Sequence, residues 1–135
     1  MPEGIPYSSS NVIAGTGLDL NYIGNHCFAY SGSLSVSSSS SADNTALNFT
    51  TGNRTIKGRI QLAWADNTSS NAYAQVKING IIVIENKWDD AGSAAFVVDP
   101  YILILPPYTS VEVLLGSANS SSVDVGALFT GKVYK

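Results

Sequence analysis

The sequence predicts an all-β fold, a two-sheet β-sandwich arranged as a jelly roll of about eight strands and preceded by an extended N-terminal arm. Three observations point there. Two strand-like runs, ending at Ile78 and starting at Ile81, meet at Asn79-Gly80 with no residue to spare. Asn-Gly supplies the two positive-φ positions of a type I′ turn, whose twist matches that of the strands it joins. Thr55 to Ala65 carries the cleanest alternation in the chain, the pattern of a strand with one wet face. No segment repeats its apolar residues at helical spacing, and Gly, Ser and Asn turns separate several of the runs. The jelly roll is preferred to an immunoglobulin-like sandwich because there are eight runs and no paired cysteines.

The chain has 135 residues, the size of one domain, and folding at this length buries roughly two-thirds of the unfolded surface, enough for one core. Residues 1–25 read as the arm and 26–135 as the sandwich domain. The arm holds two prolines, four glycines and short apolar islands. It lies along its own sheet or reaches a neighbour. The neighbour is favoured, because Tyr7, Ile13, Leu20 and Tyr22 are costly to leave in water, and these four are candidate partner-binding residues.

The first strand of the domain runs from His26 to Val36, with His26, Phe28 and Tyr30 on one face and Cys27 and Ala29 on the other. Ser37 to Ser41 interrupts it as a loop. Asp43 to Thr50 is a short strand with Leu47 and Phe49 inward. It ends at the Thr51-Gly52-Asn53 turn. In the alternating strand that follows, Ile56, Gly58, Ile60, Leu62 and Trp64 share the core face, opposite Lys57, Arg59 and Gln61. Gly58 marks a bulge, or a place where a large side chain of the opposite sheet sits close to the backbone. Asp66 to Asn71 is a polar turn. The hairpin then pairs a half-wet strand, in which Ala74, Val76 and Ile78 alternate with polar neighbours, with the unbroken apolar run Ile81 to Ile84, expected to be the better buried of the two.

Beyond Trp88, residues 89–93 read as a loop. Ala94 to Leu105 is extended apolar sequence broken at Asp99-Pro100, hence two short pieces or a bent edge strand, since proline gives the ladder no donor. Pro106-Pro107 ends it. Thr109 to Leu115 alternates again, and Val123 to Tyr134 closes the chain.

Composition narrows function by exclusion. Charged residues make up 13% of the chain, the net charge is −3, and the seven basic residues are scattered along the sequence. That is not the make-up of a nucleic-acid binder working by phosphate neutralisation. The opening Met1-Pro2-Glu3-Gly4 lacks a signal peptide's basic and apolar regions, and no apolar stretch approaches membrane-helix length, so a soluble, unprocessed protein with no membrane partner is expected. The sequons at Asn48, Asn53, Asn67 and Asn119 reflect a chain rich in Asn, Ser and Thr.

No catalytic, cofactor or metal set is expected. The single His26 and single Cys27 point to opposite strand faces, and Cys27 reads as a buried small hydrophobe. Zinc would lack ligands, and Asp89-Asp90 near Asp66 or Asp124 lacks the spacing of a calcium loop. The acidic residues read as solvent-face charges rather than a glycosidase pair. Trp64 shares the face of Ile60 and Leu62 and is core. Trp88 at the hairpin end, with Tyr101 and Tyr108 beside the prolines, completes the partner-binding candidates.

The passage Ile104-Leu105-Pro106-Pro107-Tyr108-Thr109-Ser110-Val111-Glu112-Val113 and the terminal Ala127-Leu128-Phe129-Thr130-Gly131-Lys132-Val133-Tyr134 carry a resemblance, joined by the Lys77 to Glu85 hairpin. Over roughly residues 45–135 the chain resembles capsid cement or decoration proteins of tailed bacteriophages of aquatic bacteria. The resemblance implies a non-enzymatic virion protein with a jelly-roll fold. It would be made in the host cytoplasm, trimerise, and cement or decorate the outer capsid surface on major capsid protein subunits. The alternative is a carbohydrate-binding adhesin module of a phage tail or fibre, whose partner would be a glycan.

Overall fold

The computed structural model describes residues 20–36, 41–64, 71–88, 96–118 and 122–134. Eleven strands lie within them: β1 Asn21–Ile23, β2 His26–Tyr30, β3 Leu34–Val36, β4 Asn44–Thr50, β5 Thr55–Trp64, β6 Ala72–Ile78, β7 Ile81–Trp88, β8 Phe96–Val97, β9 Tyr101–Leu105, β10 Ser110–Ser117 and β11 Val123–Tyr134. Among the described residues no helix is long and apolar enough to cross a membrane. Eight of the strands are the expected runs. β1 is an added strand of three residues, while β3 and β8 are short pieces of two expected runs, β3 set apart from β2 at residues 31–33 and β8 set apart from β9 at the Asp99-Pro100 break.

The strands form two antiparallel sheets. In the first the order is β1-β2-β11-β5-β8, with β3 also beside β11 and β9 also beside β5; in the second it is β4-β10-β6-β7. Successive main strands change sheet at each connection except β6 to β7, which stay together as the Asn79-Gly80 hairpin. This crossing pattern makes the sandwich a jelly roll. The turn residues have φ of 52° at Asn79 and 82° at Gly80, as a type I′ turn requires.

The core lies between the sheets. β5 contributes Ile56, Ile60, Leu62 and Trp64, and β11 contributes Val123, Val125, Ala127 and Phe129; from the other side come Leu47 and Phe49, Ala74 and Val76, and Val111, Val113 and Leu115, all buried. Two aromatic pairs bridge the layers: Phe49 with Phe129 at 4.9 Å between ring centroids, and Trp64 with Trp88 at 5.4 Å in an edge contact. Trp64 is fully buried, as its strand face predicts.

Gly58 stands in register with Gly131 of β11, without a bulge between β5 and β11. A Cβ on Gly58 would fall 2.4 Å from the Phe129 ring and 2.6 Å from the Thr130 carbonyl. The large neighbour expected there is present, but it comes from the adjacent strand of the same sheet, not from the opposite one. Its ring lies diagonally over the glycine and reaches Phe49 across the core.

Two other expectations change. The run Ile81 to Ile84 is not the better-buried arm of the hairpin: Ile81, Ile82 and Val83 are 68%, 46% and 51% exposed, while Ala72, Ala74 and Val76 on β6 are buried. The physical reason is position. Among the described residues β7 is the edge strand of its sheet, and a register shift between Val76 and Lys77 ends the regular inward and outward alternation near the turn. Of the expected arm, residues 1–19 lie outside the described residues. Its last stretch belongs to the sandwich: β1 pairs with β2 through a turn at Gly24, φ 61°, and Leu20 packs against the core.

The Asp99-Pro100 break divides 94–105 as proline requires, with β8 before it and β9 after it, both on β5. The Pro106-Pro107 turn is held by two buried threonines. The Thr51 hydroxyl donates to the Pro106 carbonyl at 2.9 Å and accepts from the Thr109 amide at 3.0 Å, and the Thr109 hydroxyl donates to the same carbonyl at 2.8 Å. Buried hydroxyls with these bonds carry no desolvation penalty, and they lock the 51–54 turn to the 106–109 turn.

Candidate functional site

Two surfaces of the sandwich stand apart from ordinary solvent-facing sheet. The first is the edge strand β7, where the consecutive aliphatic side chains Ile81, Ile82 and Val83 are exposed beside backbone groups that no neighbouring strand covers among the described residues. Charged side chains near it are Lys77, Glu85 and Lys87, and Glu85 is engaged by the Gln75 amide. A flat apolar edge left uncovered is the part of a sheet most prone to pair with another chain.

The second surface is the outer face of the first sheet. Alternation sends His26, Phe28 and Tyr30 outward from β2 and Lys57 and Arg59 outward from β5. β11, between them, adds Leu128, Thr130, Lys132 and Tyr134. Register then assembles the rows. His26, Lys132, Lys57 and Ile104 are successive neighbours across the sheet, and so are Phe28, Thr130, Arg59 and Ile102. The rows flank a shallow concavity of about 430 Å³ whose floor includes the paired backbone of Gly58 and Gly131. The Lys132 ammonium lies 5.7 Å from the centre of the Tyr134 ring. Among the described residues, the carboxylates of Asp43, Glu85, Glu112 and Asp124 accept hydrogen bonds from Asn44, Gln75, Thr45 and Ser35, away from these rows.

Lys57 and Arg59 lie on the wet face, as the alternation of β5 predicts. The basic residues are scattered along the sequence, and Lys132 joins these two only through the pairing of β11 with β5.

The described partner-binding candidates have different surroundings. Tyr7 and Ile13 lie outside the described residues. Leu20 and Tyr22 share a cavity of about 640 Å³ with Asn48, Phe49 and Arg54, and the Arg54 guanidinium sits 4.3 Å from the Tyr22 ring centre, so a cation already occupies one aromatic face. Trp88 is half-buried against Trp64. Tyr101 is partly buried, and its hydroxyl accepts from the Asn86 side chain, tying β9 to β7 across the two sheets. Tyr108 is 76% exposed and holds φ at 59°. A tyrosine with left-handed backbone is strained, and here it follows a proline in a turn position that glycine or asparagine ordinarily fills.

His26 faces solvent and Cys27 faces the core. Burial pushes the Cys27 thiol up to about 11, with Arg54 pulling weakly the other way. A protonated, buried thiol is a poor nucleophile. Asp66, Asp89 and Asp90 lie outside the described residues; among those described, no three His, Cys, Asp or Glu side chains gather as metal ligands.

No family model matches the chain, and no curated protein is significantly similar to it. Solved structures with a similar course include the CBM36-1 domain of a multidomain xylanase from the hindgut metagenome of Trinervitermes trinervoides. It is 13% identical with a TM-score of 0.41, over 70% of this chain and 77% of that one. An exo-β-1,3-galactanase from Phanerochaete chrysosporium is 17% identical with a TM-score of 0.35, over 78% of this chain. The match spans 20% of the galactanase's own length.

Proposed function

We propose that this chain is a non-enzymatic structural protein of a phage virion, which trimerises and cements or decorates the outer capsid surface. The observation that carries the reading is the open β7 edge with Ile81, Ile82 and Val83 in water. In a monomer that edge is a liability. In an assembly, one added strand would cover the aliphatic side chains and satisfy the free backbone groups together. Covering the three side chains is worth on the order of 5 kcal/mol at the usual area coefficient. A ring of three needs the edge of one copy to meet a different surface of the next, because an edge that meets itself makes only a two-fold pair. The resemblance of the Pro-Pro passage and the terminal strand supplies the virion context and the major capsid protein as the partner beneath.

Size-exclusion chromatography with light scattering tests this directly. The full chain is expected to run as a trimer, and Ile82→Lys, which places a charge on the open edge, to run as a folded monomer. A wild-type chain that stays monomeric at high concentration would sink the proposal. The carbohydrate-binding alternative needs flat aromatic faces free to stack on a sugar; Trp88 packs on Trp64 and Arg54 covers one face of Tyr22, which leaves the exposed Tyr108 as the candidate ring. Specific glycan-array binding that disappears in Trp88→Ala would favour that alternative.

A further inference from the structure

We infer that the outer face of the first sheet docks a second, different protein whose contact surface presents carboxylates among apolar side chains. The face has three of the chain's seven basic residues, Lys57, Arg59 and Lys132, although the net charge of the whole is −3. Lys57 and Lys132 are directly opposed across β5 and β11. Side chains so placed start about 5 Å apart at Cβ, and like charges there repel. Among the described residues no carboxylate offsets that repulsion at the centre of the concave face, and a partner's carboxylate would relieve it.

The aliphatic neighbours decide the kind of partner. Ile102 and Ile104 flank Arg59 and Lys57 in register and are 69% and 72% exposed. A phosphate or sulfate polymer would neutralise the cations and leave both isoleucines in water. A protein surface that mixes carboxylates with apolar groups covers both, the usual make-up of a specific interface. A second copy of the same face is a poor partner, since a two-fold contact would set lysines against lysines. The β7 edge belongs to the other sheet, so self-assembly through it leaves this face available. Identifying the partner as the capsid shell rests on the proposed function; the chemistry of the face does not.

The test uses the full chain and a fluorescein-labelled peptide of alternating glutamate with leucine and threonine, read by anisotropy, beside a thymidine oligonucleotide of equal charge. The peptide is expected to bind, with affinity about tenfold weaker in Lys57→Gln/Lys132→Gln and also reduced in Ile102→Ser/Ile104→Ser. The oligonucleotide is expected to bind more weakly and to ignore the isoleucine changes. All four positions are solvent-facing, and Lys132→Gln alone is expected to raise the melting temperature by about 1–4 °C by removing the cross-strand repulsion. The inference is overturned if the peptide does not bind, if the lysine variant binds it unchanged, or if the oligonucleotide binds more tightly with no isoleucine dependence. Light scattering on the same variants separates the two proposals. An unchanged oligomer in the lysine variant supports a distinct docking face, while dissociation would assign the face to contacts between copies and overturn this inference.

Discussion

At the scale of single residues, two backbone positions show how one conformation serves opposite ends. Asn79 holds φ at 52° and is bound twice to β10: its amide donates to the Ser110 carbonyl at 2.9 Å, and its side-chain oxygen accepts from the Ser110 amide at 2.8 Å. The Asn-Gly pair is thus a turn and also a clamp onto the next strand. Asn79→Gly keeps the conformation and loses the side-chain bond, which should cost about 1 kcal/mol in urea denaturation. Asn79→Pro loses the amide and cannot take the angle, and no folded protein is expected from it. Tyr108 is the converse case, a large exposed residue with φ of 59°. Left-handed backbone costs a non-glycine residue about 1–2 kcal/mol, part of which glycine's extra unfolded-state entropy offsets. Tyr108→Gly should therefore stabilise the monomer fold by about 0.5–1 kcal/mol. If Tyr108 is a partner contact, the same change weakens assembly, seen as a lower-mass species in light scattering. Higher stability with unimpaired assembly would remove Tyr108 from the interface.

At the scale of elements, legibility followed sequence distance. The β6–β7 hairpin, the alternating β5 and the proline break before β9 are written in adjacent residues, and each came out as read. Burial of a strand is different, because it depends on which strands lie beside it. Ile81 to Ile84 looks like core by composition, yet it forms an edge, and no local pattern distinguishes an edge from a centre. The cationic face was hidden for the same reason: Lys57 and Lys132 meet only when the last strand pairs with the fifth. The alignment of Gly58, Gly131 and Cys27 across β5, β11 and β2 is equally non-local. It thins the inner surface of the sheet, and the Phe129 ring settles there and packs at a tilt against Phe49. Gly58→Ala must displace that ring and also meets the Thr130 carbonyl, which cannot swing away without breaking the ladder. Overpacking of this kind should destabilise by about 1–3 kcal/mol. A chain with an unchanged denaturation midpoint would show that Phe129 has room to move.

At the scale of the whole molecule, the jelly roll places its chemistry on the outside and keeps its one thiol inside. Cys27 is buried between the sheets, so access to it reports opening of the sandwich. Its thiol ordinarily ionises near 9.0 and is raised to about 11, first by burial, with Arg54 opposing. The folded chain therefore holds this proton more tightly than the unfolded chain. The resulting stability is fully present below about pH 9 and is lost as pH rises from about 9 to about 11. Tyrosines and lysines also titrate in that range, so the informative quantity is a difference between two proteins. The stability of the wild type minus that of Cys27→Ala, from urea midpoints, should be larger near pH 8 than near pH 10.5. A difference that does not change with pH would mean that the thiolate is solvated in the folded state. In that case a thiol reagent should label Cys27 without denaturant, whereas a sealed core predicts labelling only as the chain unfolds.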